Sequence, residues 1–147
     1  MKNLIFATIL LAASFANAKA AGLFTEDGVF IDGYDPVSYI SENKAVKGQS
    51  KVQWEYKGSK VYFSNEKNKK AFQAEPEKYV PAYNGYCAYA MAAKGSLVEI
   101  DPKSFKVING KTYLFYNGLF ADTLKKWNKK PDQPQVDQAN KNWKKHL

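Results

Sequence analysis

Two segments of the chain alternate aromatic and polar residues on either side of a glycine turn, and this pattern constrains the fold most strongly. The first segment spans residues 52–63 and turns at Lys57-Gly58. The second spans residues 105–116 and turns at Asn109-Gly110. A period of two around a glycine turn is typical of a β-hairpin with one buried face. The sequence therefore predicts two antiparallel hairpins built around aromatic side chains.

Each hairpin pattern is followed by an asparagine that is a suitable helix cap. Asn65, or Ser64 before it, is predicted to cap a helix that carries Phe72. Asn117 is predicted to cap a helix whose apolar side holds Phe120, Leu124 and Trp127. The two hairpin-helix units share a glycine turn, a lysine, an aromatic strand and an asparagine. We interpret them as a degenerate structural repeat, although such units also arise independently.

Shorter elements are predicted before and between these units. Asp27-Gly28 lies between two short apolar pairs and predicts a further hairpin. Asp35 before Pro36 predicts the N-cap of a short helix that runs through Ile40. Residues 44–51 are mostly polar and are predicted to form a loop. The predicted fold class is α+β, with small antiparallel hairpins, or one mixed sheet, and short helices packed against it.

The C-terminal segment has the pattern of an amphipathic helix. Its apolar residues recur at helical spacing and are Val136, Ala139, Trp143 and Leu147. We expect this helix to pack back on the domain, and docking to a partner is the alternative. The predicted division of the chain places one domain at residues 19–130 and a basic helical tail at residues 131–147.

The first residues have the pattern of an export signal. Lys2 supplies a positive charge, residues 4–13 are apolar, and Ala16-Asn17-Ala18 matches a small-x-small cleavage site. We predict a signal peptide at residues 1–18, with cleavage after Ala20 as the alternative. The apolar run is shorter than the roughly 20 residues that cross a bilayer. The expected location is periplasmic or secreted, with no transmembrane segment after signal cleavage.

The charge of the chain limits its partners. The formal net charge is +8, and every basic residue is a lysine. Arginine is the usual residue for bidentate recognition of phosphate and guanine, so its absence argues against specific nucleic-acid binding. The lysines crowd toward the C-terminus. They are compatible with an anionic membrane or cell-wall polymer as partner, or with a solvated helix face.

Cys87 is the only cysteine, so the chain cannot close an internal disulfide. Residues 86–94 are predicted to form a helix that Gly95 ends. Cys87 would lie in its first turn, where the backbone amides and the helix dipole favour a thiolate. Three nearby tyrosines could donate hydrogen bonds to the sulfur or to a bound ligand: Tyr83, Tyr86 and Tyr89. A buried cysteine that packs as a small apolar residue is the alternative.

Several short motifs together resemble the YHS-domain family. In chain order they are Gly33-Tyr34-Asp35-Pro36-Val37-Ser38-Tyr39, Tyr56-Lys57-Gly58, Val61-Tyr62-Phe63-Ser64, Phe72 and Pro76-Glu77-Lys78-Tyr79. The resemblance is closest to the exported single-domain branch, in which a Gly-Tyr-Cys-Ala stretch and an Asn-Gly hairpin follow the YHS core. It implies that residues 19–130 form a YHS-like domain.

The resemblance also implies heavy-metal binding through cysteines, but this sequence departs from that pattern. Ser38, Ser64 and Asn68 stand where those cysteines would align, and the only histidine is His146 in the tail. A single thiolate cannot complete a structural zinc site, which takes four ligands. Copper(I) could use Cys87 with Met91, or with a partner's methionine, because soft sulfur ligands suit it. Met91 as a core residue is the alternative.

Three functions are consistent with the sequence. The favoured one is an exported non-enzymatic protein that binds a metal ion, such as copper, or a small ligand near Cys87. The second is a periplasmic thiol-redox protein that uses Cys87 as a reactive thiolate. The third is a structural or interaction protein that engages another exported protein. The sequence lacks the usual nucleophile-histidine and Cys-x-x-Cys patterns, which leaves Cys87 as the candidate catalytic residue. Asp32 and Asp35 could pair as acid and base, but a helix cap before Pro36 explains Asp35 better.

Overall fold

The computed structural model describes residues 20–147, and the predicted signal peptide lies outside them. The strands, in chain order, are β1 (Thr25–Glu26), β2 (Val29–Phe30), β3 (Gln49–Tyr56), β4 (Ser59–Phe63), β5 (Asp101–Ile108), β6 (Lys111–Phe115), β7 (Asn117–Gly118) and β8 (Ala121–Asp122). The α-helices are α1 (Ser38–Ser41), α2 (Glu66–Ala74), α3 (Pro76–Tyr79), α4 (Ala88–Lys94), α5 (Thr123–Trp127) and α6 (Asp132–Trp143). This mixture of small sheets and short helices confirms the predicted α+β class.

The strands form one mixed sheet and two separate hairpins. The four-stranded sheet has the order β1-β2-β4-β3, while β5 pairs with β6 and β7 with β8. Both predicted aromatic hairpins are present, as the antiparallel pairs β3–β4 and β5–β6. The predicted loop at residues 44–51 ends early, because β3 already begins at Gln49. The Gln49 side chain donates to the Ser64 carbonyl at 2.7 Å, which holds this end of the strand in the sheet.

The two aromatic hairpins have the same register at an offset of 52 residues, from Gln49 to Asp101. Each joins an eight-residue strand to a five-residue strand through two residues. Gln49 pairs with Phe63, and Asp101 pairs with Phe115. The pairing register then shifts once in each hairpin, between Gln49 and Gln53 in β3 and between Asp101 and Phe105 in β5. The shared register confirms the hairpin part of the predicted repeat, whereas the asparagine cap is present only after the first hairpin.

The repeat extends to the segments that precede the hairpins. Residues 31–33 have φ angles of 42°, 54° and 74°, and residues 83–85 have 58°, 54° and 90°. After these left-handed turns, the Asp35 amide donates to Val46 and the Cys87 amide to Val98, at 2.8 and 3.0 Å. The fold therefore contains two copies of a turn–helix–hairpin unit: residues 31–64, the first unit, and residues 83–116, the second unit. Asp35 and Cys87 occupy corresponding places in them.

The two left-handed turns pack against each other. A Cβ atom at Gly85 would lie 3.1 Å from Ile31 Cγ2, so only glycine allows this approach without a shift. Ile31 is fully buried and has a positive φ, which is strained for a β-branched residue. Such strain persists where the surrounding structure holds it. The contact between the turns therefore fixes how the two units meet.

Two buried clusters form the core. One lies mainly in the first unit and is made largely of aromatic and aliphatic residues of the four-stranded sheet and α2. The other joins the second unit to α6, which buries Val136 and Ala139. The Asn142 side chain also donates to the Met91 carbonyl at 2.8 Å. The predicted C-terminal helix thus packs on the domain, but Leu147 is 74% exposed and lies outside the core.

The prediction of a helix capped by Asn117 is wrong. Residues 117–122 form the hairpin β7–β8, and Asp122 caps α5 by accepting from the Lys125 amide at 2.9 Å. Phe120 is 95% exposed, whereas Trp127 is fully buried as predicted. After the first unit, which ends at Ser64, Asn65 follows directly and caps α2, as predicted. After the second unit, which ends at Tyr116, residues 117–121 come before the helix cap Asp122.

No helix within residues 20–147 has both the length and the apolar character needed to span a membrane.

Candidate functional site

The positions that the family resemblance assigns to metal ligands meet around a buried carboxylate. Ser64 donates to Asp35 Oδ2 through its backbone amide at 2.8 Å and its hydroxyl at 2.7 Å. Asn68 Nδ2 donates to the same oxygen at 2.7 Å, and the Val37 amide donates to Oδ1 at 2.9 Å. The Ser38 hydroxyl donates to the Asp35 carbonyl at 2.8 Å. The prediction of Asp35 as the N-cap is wrong, since α1 begins at Ser38 with Val37 as its N-cap. Asp35 instead holds the turn that precedes α1 and ties it to the junction of β4 and α2.

This cluster does not fit a heavy metal. The Ser64 hydroxyl and the Asn68 amide already donate to the Asp35 carboxylate, and the Ser38 hydroxyl donates to the Asp35 backbone carbonyl. Soft ions take thiolate, thioether and imidazole ligands instead. Among residues 20–147, no three His, Cys, Asp or Glu side chains are grouped so that they could hold an ion. His146 lies apart, with Nε2 at 2.8 Å from the Gly95 carbonyl oxygen. The polar side chains here form a structural hydrogen-bond network.

Cys87 is fully buried, and its sulfur has two polar neighbours. The Tyr116 amide donates to Sγ at 3.3 Å, and Thr123 Oγ1 lies 3.6 Å from Sγ. The Thr123 hydroxyl donates its one proton to the Tyr116 carbonyl at 2.7 Å, so the thiol is the donor to Thr123. Tyr116 is the second unit's counterpart of Ser64. Cys87 therefore accepts a hydrogen bond from the Tyr116 amide, as Asp35 accepts one from the corresponding amide of Ser64 in the first unit.

The helix after Cys87 is close to the one the sequence predicts. Cys87 is the N-cap of α4 rather than a member of its first turn, and Gly95 ends the helix with a φ of 66°. Met91, four residues after Cys87, is fully buried in the second core cluster. Both sulfur-containing side chains are thus inside the domain. An ion could reach them only if the packing around them opened.

The three predicted ligand-binding tyrosines diverge rather than surround Cys87. Tyr83 donates from its hydroxyl to Asn140 Oδ1 at 3.0 Å. Tyr86 packs edge-on against Phe24, and Lys126 Nζ lies 6.0 Å from the centroid of the Tyr89 ring. None of the three donates to Cys87 Sγ, because the left-handed turn and the start of α4 direct them to different surfaces. The sulfur contacts Tyr116 and Thr123, which are distant from Cys87 in sequence, so no local sequence pattern predicts these contacts.

Tyr83 lines a cleft that sequence reasoning did not identify. Its volume is about 330 Å³. Three aromatic rings form its walls: Tyr83, Tyr113 and Trp143. The Tyr83 ring lies 5.9 Å from each of the other two. Glu77, Lys111 and Asn140 contribute polar atoms to the same cleft. The lining thus combines aromatic rings, of which Tyr83 and Tyr113 are largely buried, with charged and amide groups.

Lys111 is the charged group in this cleft that lacks a carboxylate partner. Its Nζ donates to the Glu77 backbone carbonyl at 2.7 Å. The Glu77 carboxylate instead accepts from the Tyr56 hydroxyl at 2.6 Å and Lys57 Nζ at 3.0 Å. No ion pair to Lys111 is found in the part of the chain that the structure describes. Burial lowers the pKa of Lys111, and the charge of Glu77 partly opposes that shift.

A larger cleft of about 400 Å³ near β1 offers a less defined site. Its walls include three carboxylates, from Glu26, Asp27 and Asp32, and a single aromatic ring, that of Tyr62. Asp32 already lies 3.8 Å from Lys47 Nζ. Its lining combines these three carboxylates with one lysine, Lys47, so it favours an anion less than the cleft at Tyr83 does.

Comparison with known proteins gives one family match, which includes most of the first unit and the helices α2 and α3 after it. The YHS domain family matches residues 37–83. This chain contains a YHS domain. No curated protein and no solved structure matches the chain. The YHS domain ends at Tyr83, where the second unit begins. Cys87, Lys111 and Tyr113 therefore lie beyond the matched residues, while Glu77 and Tyr83 lie within them.

Replacing Asp35 should destabilise the protein strongly. Asp35→Ala removes the acceptor of four hydrogen bonds in a buried place. We expect the free energy of unfolding, measured in urea, to fall by about 3 kcal/mol. Asp137→Ala, at an exposed carboxylate of α6, is the matched control and should change it by less than about 0.5 kcal/mol. Equal effects of the two substitutions would contradict this role for Asp35.

The Cys87 thiol should be protected in the folded protein. Because the side chain is fully buried, iodoacetamide should leave it unmodified in buffer and alkylate it completely in denaturant, as read by mass spectrometry. A chain with Cys87→Ser and Ser50→Cys carries an exposed thiol on β3 and should react in both conditions. Rapid alkylation of native Cys87 would instead support a reactive thiol.

Proposed function

We propose that this chain is an exported, non-enzymatic YHS-domain protein that binds a small organic anion in the cleft at Tyr83. The observation that carries the proposal is the half-buried Lys111 ammonium, which lines the cleft and has no carboxylate partner in the described residues. The export pattern of the first residues supports a role outside the cytoplasm.

The charge of Lys111 determines the sign of the ligand. Partial burial removes water from the ammonium, and the lowered pKa of Lys111 reflects that cost. The Glu77 carboxylate cannot relieve it fully, since that carboxylate is bonded to Tyr56 and Lys57. A ligand carboxylate would complete a charge-assisted hydrogen bond with Lys111. An anion is therefore the ligand that this cleft stabilises most.

The walls of the cleft determine the shape of the ligand. Tyr83 and Tyr113 are buried and pack edge-on, so the half-buried Trp143 ring is the one that exposes most surface to a planar ligand. A volume of about 330 Å³ is close to the lower end of ligand pockets, so the ligand is small. The Asn140 amide adds a polar group that could orient it. A small aromatic carboxylate has these properties.

The cleft is better supported as the binding site than Cys87 is. The Cys87 sulfur is enclosed and engaged by Tyr116 and Thr123, and the second unit uses it as the first unit uses Asp35. Metal binding or redox chemistry at this thiol would require the core to open. The cleft, in contrast, is open to solvent. It forms only where the YHS domain meets β6 and α6, which gives the second unit a part in binding.

Benzoate is a suitable probe of this proposal. It should bind to the cleft, whereas benzylamine, with the same ring and the opposite charge, should not. Isothermal titration and chemical-shift changes at Trp143 measure the binding. Lys111→Met should weaken benzoate binding by about tenfold to a hundredfold, the value of a charge-assisted hydrogen bond. The affinity should also fall at high pH, beginning below the ordinary lysine pKa of about 10.4, because Lys111 binds only when protonated.

Lys60→Met is the matched control, since Lys60 is an exposed lysine of β4 that does not line the cleft. It should leave benzoate affinity within about twofold of the unmodified protein. The proposal fails if benzylamine binds as well as benzoate, or if Lys111→Met has no more effect than Lys60→Met.

A further inference from the structure

The hairpin β7–β8 is an addition to the second unit that the first unit lacks. In the first unit, Ser64 leads directly to the helix cap Asn65. In the second unit, residues 117–121 separate Tyr116 from the cap Asp122. Both units close their aromatic hairpins and begin the next helix, so the addition is not required for that purpose. Its function has to be found in what it presents to solvent.

The tip of this hairpin presents two large apolar side chains to solvent. Leu119 and Phe120 are each 95% exposed. The other three hairpin turns in the described residues have a glycine at the second position, preceded by Asp27, Lys57 or Asn109. Polar residues and glycine are the usual choice at such turns. Leucine and phenylalanine here give no packing within the domain, which indicates that they pack against something else.

Three lysines lie beside the apolar tip. Lys125, Lys126 and Lys129 line one concave surface together with Leu119 and Phe120. Asp122 is the carboxylate on this surface, and its side chain accepts from the Lys125 amide as the cap of α5. The surface therefore has a net positive charge around an apolar projection. An anionic lipid surface complements both properties, because it carries charged headgroups above an apolar interior.

We propose that the hairpin β7–β8 docks the protein on an anionic lipid bilayer. Leu119 and Phe120 enter the boundary between headgroups and acyl chains, and the three lysines contact the anionic headgroups. Apolar burial and lysine attraction act together at such a surface, and neither suffices alone for a small contact. A projecting tip suits a bilayer, which yields to an inserted side chain, better than it suits a rigid surface.

The base of the hairpin is held firmly, which lowers the cost of docking. The Thr123 amide and hydroxyl both donate to the Tyr116 carbonyl, at 3.0 and 2.7 Å. The Tyr116 amide donates to Cys87 Sγ on the other side. A tip on a fixed base loses little conformational entropy when it inserts. The buried Cys87 thus supports the docking element without contacting the lipid.

Vesicle flotation tests this proposal with protein purified as the cell processes it. The probes are vesicles of equal parts phosphatidylcholine and phosphatidylglycerol, and vesicles of phosphatidylcholine alone. We expect binding to the anionic vesicles that decreases as salt is raised. Leu119→Asn/Phe120→Gly keeps residues that favour turns and removes the apolar tip. Lys125→Glu/Lys126→Glu reverses two charges. Each pair should reduce the vesicle-bound fraction about tenfold.

Two controls match these variants. Leu147→Asn removes an exposed leucine elsewhere, and Lys67→Glu/Lys70→Glu reverses two exposed lysines of α2. Neither control should change binding by more than about twofold. All variants share one N-terminus, so their differences report the hairpin alone. Circular dichroism confirms that each is folded.

The proposal is overturned if the unmodified protein does not float with anionic vesicles, or if the tip and lysine variants bind as well as the controls. It is also overturned if the tip variant only converts a dimer to a monomer in ultracentrifugation, because the tip would then be an interface between copies of this chain.

Discussion

In each of the two units, one hydrogen bond joins the end of the hairpin to the beginning of a short helix. Its donor is the backbone amide of the first residue after the hairpin, and its acceptor is a side chain that precedes the helix. In the first unit the Ser64 amide donates to Asp35, and in the second the Tyr116 amide donates to Cys87. This hydrogen bond fixes the helix start against the end of the hairpin. A carboxylate and a thiol perform the same structural task, although the carboxylate also accepts from Asn68 and the thiol does not. The pairing explains why an unpaired cysteine lies in the core.

This correspondence gives Cys87 and the residues around Asp35 a structural role. Serine and asparagine occupy the places where the family resemblance implies metal ligands, and they serve the Asp35 network. Function is then to be sought where the two units differ or meet. They meet at the cleft of Tyr83 and Lys111, and they differ in the hairpin that carries Leu119 and Phe120. Both features depend on parts of the chain beyond the matched YHS domain.

Local chemistry made much of the fold predictable. Glycine turns with aromatic strands gave both hairpins, and Asn65 and Gly95 marked helix ends through capping rules that act over a few residues. The helix predicted through Phe120 is wrong because residues 117–122 pair as a hairpin, so the helix begins only after Asp122, although asparagine and aspartate are equally good caps. The Cys87 contact and the cleft at Lys111 could not be predicted, since each joins residues far apart in sequence. The repeat could be recognised in part, and its register required the structure.

The most direct test of this account is hydrogen exchange at the Tyr116 and Ser64 amides, followed by NMR in the unmodified protein and in Cys87→Ala. Both amides are bonded to buried side chains, so both should be strongly protected in the unmodified protein. Cys87→Ala should accelerate exchange at Tyr116 while Ser64 keeps its protection. Rapid exchange of Tyr116 in the unmodified protein, or a Tyr116 rate that Cys87→Ala leaves unchanged, would contradict the equivalence of Cys87 and Asp35.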